Sequence, residues 1–212
     1  MNARESRSTK LVVTDLCKNF ENRAVLRGLE FAIAAPGCLA ITGPNGSGKT
    51  TLMKTLAGLQ RPSRGSVRFE LGADSLDPID QQGMFTLISP ELSLYDTLTG
   101  HENLRFFSRV LGLRFNASRQ DELLQEVGLA GRGHDRVAVY SSGMKQRLKY
   151  ALAWLADSVV LLLDEPTANL DENGKEMAAR LIATRKQDRL VIIATNEKDD
   201  LRHADEIVNL AG

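Results

Sequence analysis

The run Gly43-Pro-Asn-Gly-Ser-Gly-Lys-Thr50 has the spacing G-x-x-x-x-G-K-[ST]. An apolar run, residues 37–42, precedes it. Leu52, Leu56 and Leu59 follow at helical spacing. A strand, a glycine turn and a helix start in that order turn successive N–H groups toward phosphate oxygens, and the helix terminus adds partial positive charge. In this reading Gly43, Pro44, Asn45, Gly46, Ser47 and Gly48 form a cradle and Lys49 reaches the β- and γ-phosphates. Thr50 places its hydroxyl on Mg²⁺ and Thr51 contacts the α-phosphate. The motif implies nucleoside triphosphate binding and leaves a kinase, a GTPase and a motor ATPase open.

A second apolar run, residues 159–163, ends in Asp164-Glu165-Pro166. A buried strand there delivers Asp164 to the cation. Glu165, one residue on, points elsewhere and can orient or deprotonate an attacking water. A kinase uses its acceptor hydroxyl instead, so the adjacent acids favour hydrolysis.

These groups need a scaffold, and 212 residues suffice for a buried core. Twenty-seven basic residues balance twenty-seven acidic ones, which argues against a broad nucleic-acid face. Cys17 and Cys38 are too few for a disulfide framework and read as reduced thiols. The N-terminus lacks a signal-peptide core, and no apolar stretch approaches a bilayer span. The expectation is a soluble, cytoplasmic chain for which any membrane role must come through a partner.

Residues 1–9 read as a loose tail, and strands are expected at 11–13, 37–42, 65–69 and 84–88, with a helix over 49–59. From Thr99 to Leu155 the pattern is helical, with capping-box spacing at Thr99/Glu102 and at Ser118/Asp121. Leu104, Phe107 and Leu111, then Leu123, Leu124 and Val127, mark its apolar faces. Strands return at 159–163 and 190–194, with an edge strand at 207–210. The fold class is α/β, a core interrupted by a helical lobe. His101, His134 and His203 lack metal-ligand spacing and read as surface residues. Lys145, Arg147 and Lys149 read as a solvated helix face, and Trp154 as packed.

Tyr140-Ser-Ser-Gly-Met-Lys-Gln-Arg147 resembles the signature of ATP-binding cassette (ABC) proteins, and Ala168-Asn-Leu-Asp171 resembles the family's loop after the catalytic acid. The likeness covers about residues 10–210, with the motifs in the family's order. It implies a RecA-like P-loop NTPase core with a mixed β-sheet, about 10–95 and 155–212, and an inserted α-helical subdomain, about 96–154. It further implies ATP and Mg²⁺, and a homodimer or heterodimer of cassettes closing head to tail. Each site then pairs one copy's phosphate loop with Ser141, Ser142 and Gly143 of the other. Phe20 matches the adenine-stacking aromatic, with a plain core residue as the alternative. A transmembrane permease is the second implied partner. Tyr95 is the stronger candidate to meet it, and Phe106 and Phe107 read as lobe core. Phe85 and Phe115 complete that aromatic-rich region.

Two positions depart from the family pattern. Pro90 stands where the family has a glutamine that senses Mg²⁺ and the γ-phosphate, with Glu91 beside it as a substitute. Asn196 stands where the family has a histidine. An amide donates a neutral hydrogen bond, about half as strong as a charge-assisted one, so hydrolysis is expected to be slow. The leading reading is the ATP-hydrolysing subunit of a membrane transporter, peripheral on the cytoplasmic face; among small subunits it is similar to the haem exporter of cytochrome c maturation and to short multidrug or lipid exporter subunits. The alternative is a nucleotide-gated regulatory or scaffold protein with slow turnover.

Overall fold

A computed structural model describes residues 9–21, 23–71, 74–80, 84–113, 116–156, 158–168 and 170–210. Two long strands, β1 (Thr9–Phe20) and β2 (Arg23–Ala34), open the fold; β3 (Gly37–Thr42), α1 (Lys49–Leu56), β4 (Arg64–Leu71), β5 (Asp74–Leu76) and β6 (Phe85–Ile88) follow. Three helices come next: α2 (Gly100–Val110), α3 (Ala117–Glu126) and α4 (Ser142–Ala156). The described chain closes with β7 (Val160–Asp164), α5 (Glu172–Arg185), β8 (Leu190–Ala194), α6 (Lys198–Leu201) and β9 (Glu206–Asn209).

The strands form two sheets. A parallel one has the order β6-β7-β8-β3-β9, and an antiparallel one the order β2-β1-β4-β5. The parallel sheet is covered on both faces, which explains its unbroken apolar strands. Alternate residues divide between two cores. Cys38, Ala40, Leu161, Leu163, Val191 and Ile193 pack with α4 and α5. Leu39, Ile41, Val160, Leu162 and Ile192 pack with α1 and the antiparallel sheet. By the same alternation, Asp164 at the end of β7 falls on the α1 side.

Several sequence expectations are corrected. Thr9 belongs to β1 and is buried, so it is not part of a loose tail; residues 1–8 lie outside the described residues, as do Phe115 and Asn169. The strand expected at 11–13 is one end of the long β1–β2 hairpin. Helix α1 ends at Leu56. Left-handed Gly58 allows the Leu59 amide to bond Lys54 O and its own amide to bond Thr55 O, a Schellman closure that leaves Leu59 outside the apolar face and 67% exposed. The Thr99/Glu102 capping box forms. The one at Ser118 does not: Asn116 caps α3 from two residues earlier, accepting from Arg119 N at 3.1 Å, and Ser118 lies inside the helix. Leu111 is the exposed C-cap of α2. His101 is half-buried, 3.3 Å from Asp121 and stacked near His134. Trp154 is packed against the core as expected.

Lys145, Arg147 and Lys149 do not form a solvated face. Lys145 pairs with Asp96 at 2.8 Å, and Arg147 with Asp171 at 2.6 Å. Lys149 is buried. Each basic group finds an acceptor on a neighbouring element that helical spacing alone cannot reveal. Among the described residues no helix is long and apolar enough to cross a membrane, and both cysteines are free.

Candidate nucleotide site

The site gathers at the C-terminal ends of β3, β7 and β8. The amide of Glu165 donates to Ala194 O at 2.8 Å and that of Thr195 to Ile41 O at 3.0 Å, so the three strand ends are cross-tied. The loop after β3 turns through residues 43–48 into α1. Gly48 holds φ 104° at the helix start, and a Cβ there would lie 2.8 Å from Val25 Cγ1. Only glycine permits both the left-handed backbone and the close approach of β2.

Lys49 is 6% exposed, and its ammonium donates to Gly43 O at 2.7 Å and Pro44 O at 3.3 Å. The loop carbonyls thus hold the charge inside the turn. Thr50 Oγ1 donates to Asp164 Oδ2 at 2.7 Å. The other carboxylate oxygen, Oδ1, is buried without a partner. Burial pushes the Asp164 pKa up, opposed by the Thr50 hydrogen bond. A desolvated carboxylate with one satisfied and one free oxygen, beside a hydroxyl, is a hard-oxygen donor pair suited to Mg²⁺.

An open cleft of about 460 Å³ lies over this loop, bordered by Phe20, Arg23, Asn45, Lys49, Thr51 and Glu165 among others. Phe20 is 45% exposed, with Lys18 Nζ 5.0 Å from its ring centre, so it is not a core residue. Glu165 sits at φ 52°, a conformation that costs a non-glycine residue about 1–3 kcal/mol, and is exposed at the cleft. The turn following it is fixed from two sides. The Tyr150 hydroxyl donates to Pro166 O. Thr167 and Thr195 donate to Asp200 at 3.0 and 2.6 Å, and Asp200 is buried, which raises its pKa.

The two departing positions lie close by. The Asn196 carboxamide is 3.0 Å from Asn45 Oδ1. With the amide turned over, its oxygen accepts from Lys49 Nζ at 3.1 Å. Pro90 offers no polar side-chain atom. Glu91 is committed to Lys54, one turn after Thr50, at 2.6 Å, and its charge is felt at Asp164.

The segment 141–143 is elsewhere. Ser141 Oγ accepts from the Met144 amide at 3.2 Å and so caps α4. Ser141 and Ser142 are exposed, and none of the three residues borders the cleft of its own chain. Tyr140 anchors the segment through its hydroxyl on Arg132 O at 2.7 Å.

Sequence reading missed Arg23, Lys54, Lys149 and Asp200 as neighbours of the site. Arg23, three residues after Phe20, was the only one with a signal, a basic group beside the stacking aromatic.

The profile of the ABC transporter family matches residues 26–168. The ABC transporter ATP-binding protein YxlF of Bacillus subtilis is 32% identical, over 93% of this chain and 66% of its own length. The daunorubicin resistance ATP-binding protein DrrA3 of Streptomyces coeruleorubidus is 35% identical, over 79% of this chain and 54% of its own. The chain therefore spans 54–66% of the length of these curated relatives. Among solved structures, an ATP-binding subunit of an ABC transporter superposes with TM-score 0.82 at 28% identity, covering 94% of this chain and 85% of that one. A bacterial Atm1-family ABC exporter with ATP bound shares the fold, with TM-score 0.81 at 20% identity, over 95% of this chain and 37% of that one. With an α/β P-loop core and a family profile spanning more than half its residues, the chain belongs to the ABC transporter ATP-binding family.

Proposed function

We propose that the chain binds Mg-ATP in the cleft over residues 43–51 and hydrolyses it as one of two cassettes that close head to tail, powering a separate membrane permease. The observation that carries this is the buried, half-satisfied Asp164 bonded to Thr50, with Glu165 at the cleft beside it. Mg²⁺ held by Thr50 and Asp164 neutralises phosphate charge. Lys49 and the loop amides hold the β- and γ-phosphates, Phe20 stacks on adenine, and Glu165 takes the proton of the attacking water. Asn196 donates a neutral hydrogen bond to the γ-phosphate, and Glu91 stands near the cation as a replacement for the missing glutamine.

The partner's Ser141, Ser142 and Gly143 complete the site. This reading is supported by the exposure of Ser141 and Ser142 at a helix start and by the absence of all three residues from the lining of their own cleft. The permease seat is placed at an aromatic cluster on the lobe. There Tyr95, 45% exposed, lies 4.6 Å from the Phe106 ring, and Val110, Leu111 and Leu113 are exposed nearby in sequence. Through that seat the chain is peripheral on the cytoplasmic face. The core is placed at about 10–95 and 155–212 and the helical subdomain at about 96–154, although α4 runs on to Ala156. The name of the daunorubicin resistance relative supports a drug-like cargo.

Steady-state phosphate release tests the proposal. Glu165→Gln is expected to keep Mg-ATP affinity, lose about a hundredfold or more in turnover and gain an ATP-dependent dimer on gel filtration. A wild-type rate no faster than the variant's contradicts it.

A further inference from the structure

Lys149 lies on α4, seven residues after the Ser142 that begins the helix. It is 8% exposed. Its ammonium donates to Ser89 O at 3.2 Å and Pro90 O at 3.0 Å, and among the described residues no carboxylate pairs with it. Burial lowers its pKa, the mark of a charge taken out of water without a counter-ion. Such a charge is a poor stabiliser, because an apolar side chain of similar volume usually serves the fold as well or better. A need for stability alone therefore does not account for a lysine here.

Its position offers another account. The two carbonyls belong to the segment that leaves β6 beside the cation site, and the next residue of that segment, Glu91, is bonded to Lys54 of α1. The next residue of α4, Tyr150, donates to Pro166 O, immediately after Glu165. Two consecutive side chains of one helix thus grip the backbone of two segments that flank Asp164. The start of the same helix carries Ser141, Ser142 and Gly143.

We propose that Lys149 is a positioning residue: it fastens the Ser89–Pro90 backbone to α4, so that engagement of the helix start by the partner's nucleotide sets the segment holding Glu91 beside the cation. This coupling runs through the backbone, because Pro90 has no polar side-chain atom to carry it. The inference rests on the Mg-ATP hydrolysis proposed above and adds a residue that touches neither nucleotide nor cation.

The test compares the full-length wild type with Lys149→Met and Lys149→Arg by turnover, Mg-ATP affinity and melting temperature. Lys149→Met is expected to melt at or above the wild-type temperature and to bind Mg-ATP within about twofold, while kcat falls about tenfold. Lys149→Arg, which keeps the charge and the donors, is expected to recover most of that loss. Wild-type kcat in Lys149→Met overturns the inference, and so does a kcat loss that follows a matching loss of affinity or melting temperature. If Lys149→Met does not fold, Lys149→Gln takes its place under the same criteria. A wild type without turnover rejects the hydrolysis reading and the inference with it. A hydrolysing wild type matched by Lys149→Met rejects only the role of Lys149.

Discussion

The two helix starts proposed to meet phosphate are finished to different degrees. At α1, Gly48 is wedged under Val25, Lys49 is held by loop carbonyls, and Thr50 is tied to a buried acid. At α4, Ser141 caps its own helix and is exposed with Ser142, and neither borders the cleft over residues 43–51. In the proposed reading the first binding surface is complete within one chain, and the second is half of a surface completed by another copy. On that reading a single copy holds the nucleotide and a second one arranges the end of the phosphate tail.

Substitutions at the two starts should therefore separate affinity from turnover. Ser141→Gly removes the hydroxyl and with it the bond from the Met144 amide, which costs the cap only about a few tenths of a kcal/mol. It is expected to lower kcat about ten- to hundredfold with Mg-ATP affinity unchanged, measured by phosphate release and equilibrium binding. An equal loss of affinity would place Ser141 in its own cleft and erase the contrast.

Asp164→Asn probes the α1 side. It is expected to abolish turnover while raising the melting temperature by about 2–4 °C near neutral pH, because it removes a desolvated charge and keeps an acceptor for Thr50. The sign follows from linkage. The folded Asp164 pKa lies above its ordinary value of 3.8, so between the two values the folded state binds more protons than the unfolded. This group therefore weakens the fold as pH rises through that window. The gain from Asp164→Asn should grow over the same window and vanish below it, as read by melting curves across pH. A constant difference would assign the effect to something other than ionisation.

The smallest effect is expected from Asn196→His. An imidazolium beside Lys49 and Asn45 offers a charge-assisted bond, so turnover should rise about severalfold. No change would mean that Asn196 does not face the γ-phosphate.

The same contrast governs what the sequence disclosed. Residues 43–50 and 159–165 were legible because continuous apolar runs end in residues with few uses other than phosphate and cation chemistry. The parallel strands were legible for the same reason, being buried on both faces. The edge strand β2 was not, because its exposed Arg23, Arg27 and Glu30 break the apolar pattern. The burial of Lys149 and the link of Arg147 to Asp171 were hidden too. A lysine looks alike in sequence whether water or a carbonyl 60 residues earlier accepts its hydrogen bond. Asp200, a buried acid that ties Thr167 to Thr195, gave no signal because all of its partners are set by the tertiary fold.

The most direct measurement is equilibrium binding of Mg-ATP to the purified wild type and to Lys49→Ala. Saturable binding by the wild type that Lys49→Ala abolishes is the predicted result. Equal binding by both proteins, or none by either, would contradict the assignment of the α1 start as the phosphate site.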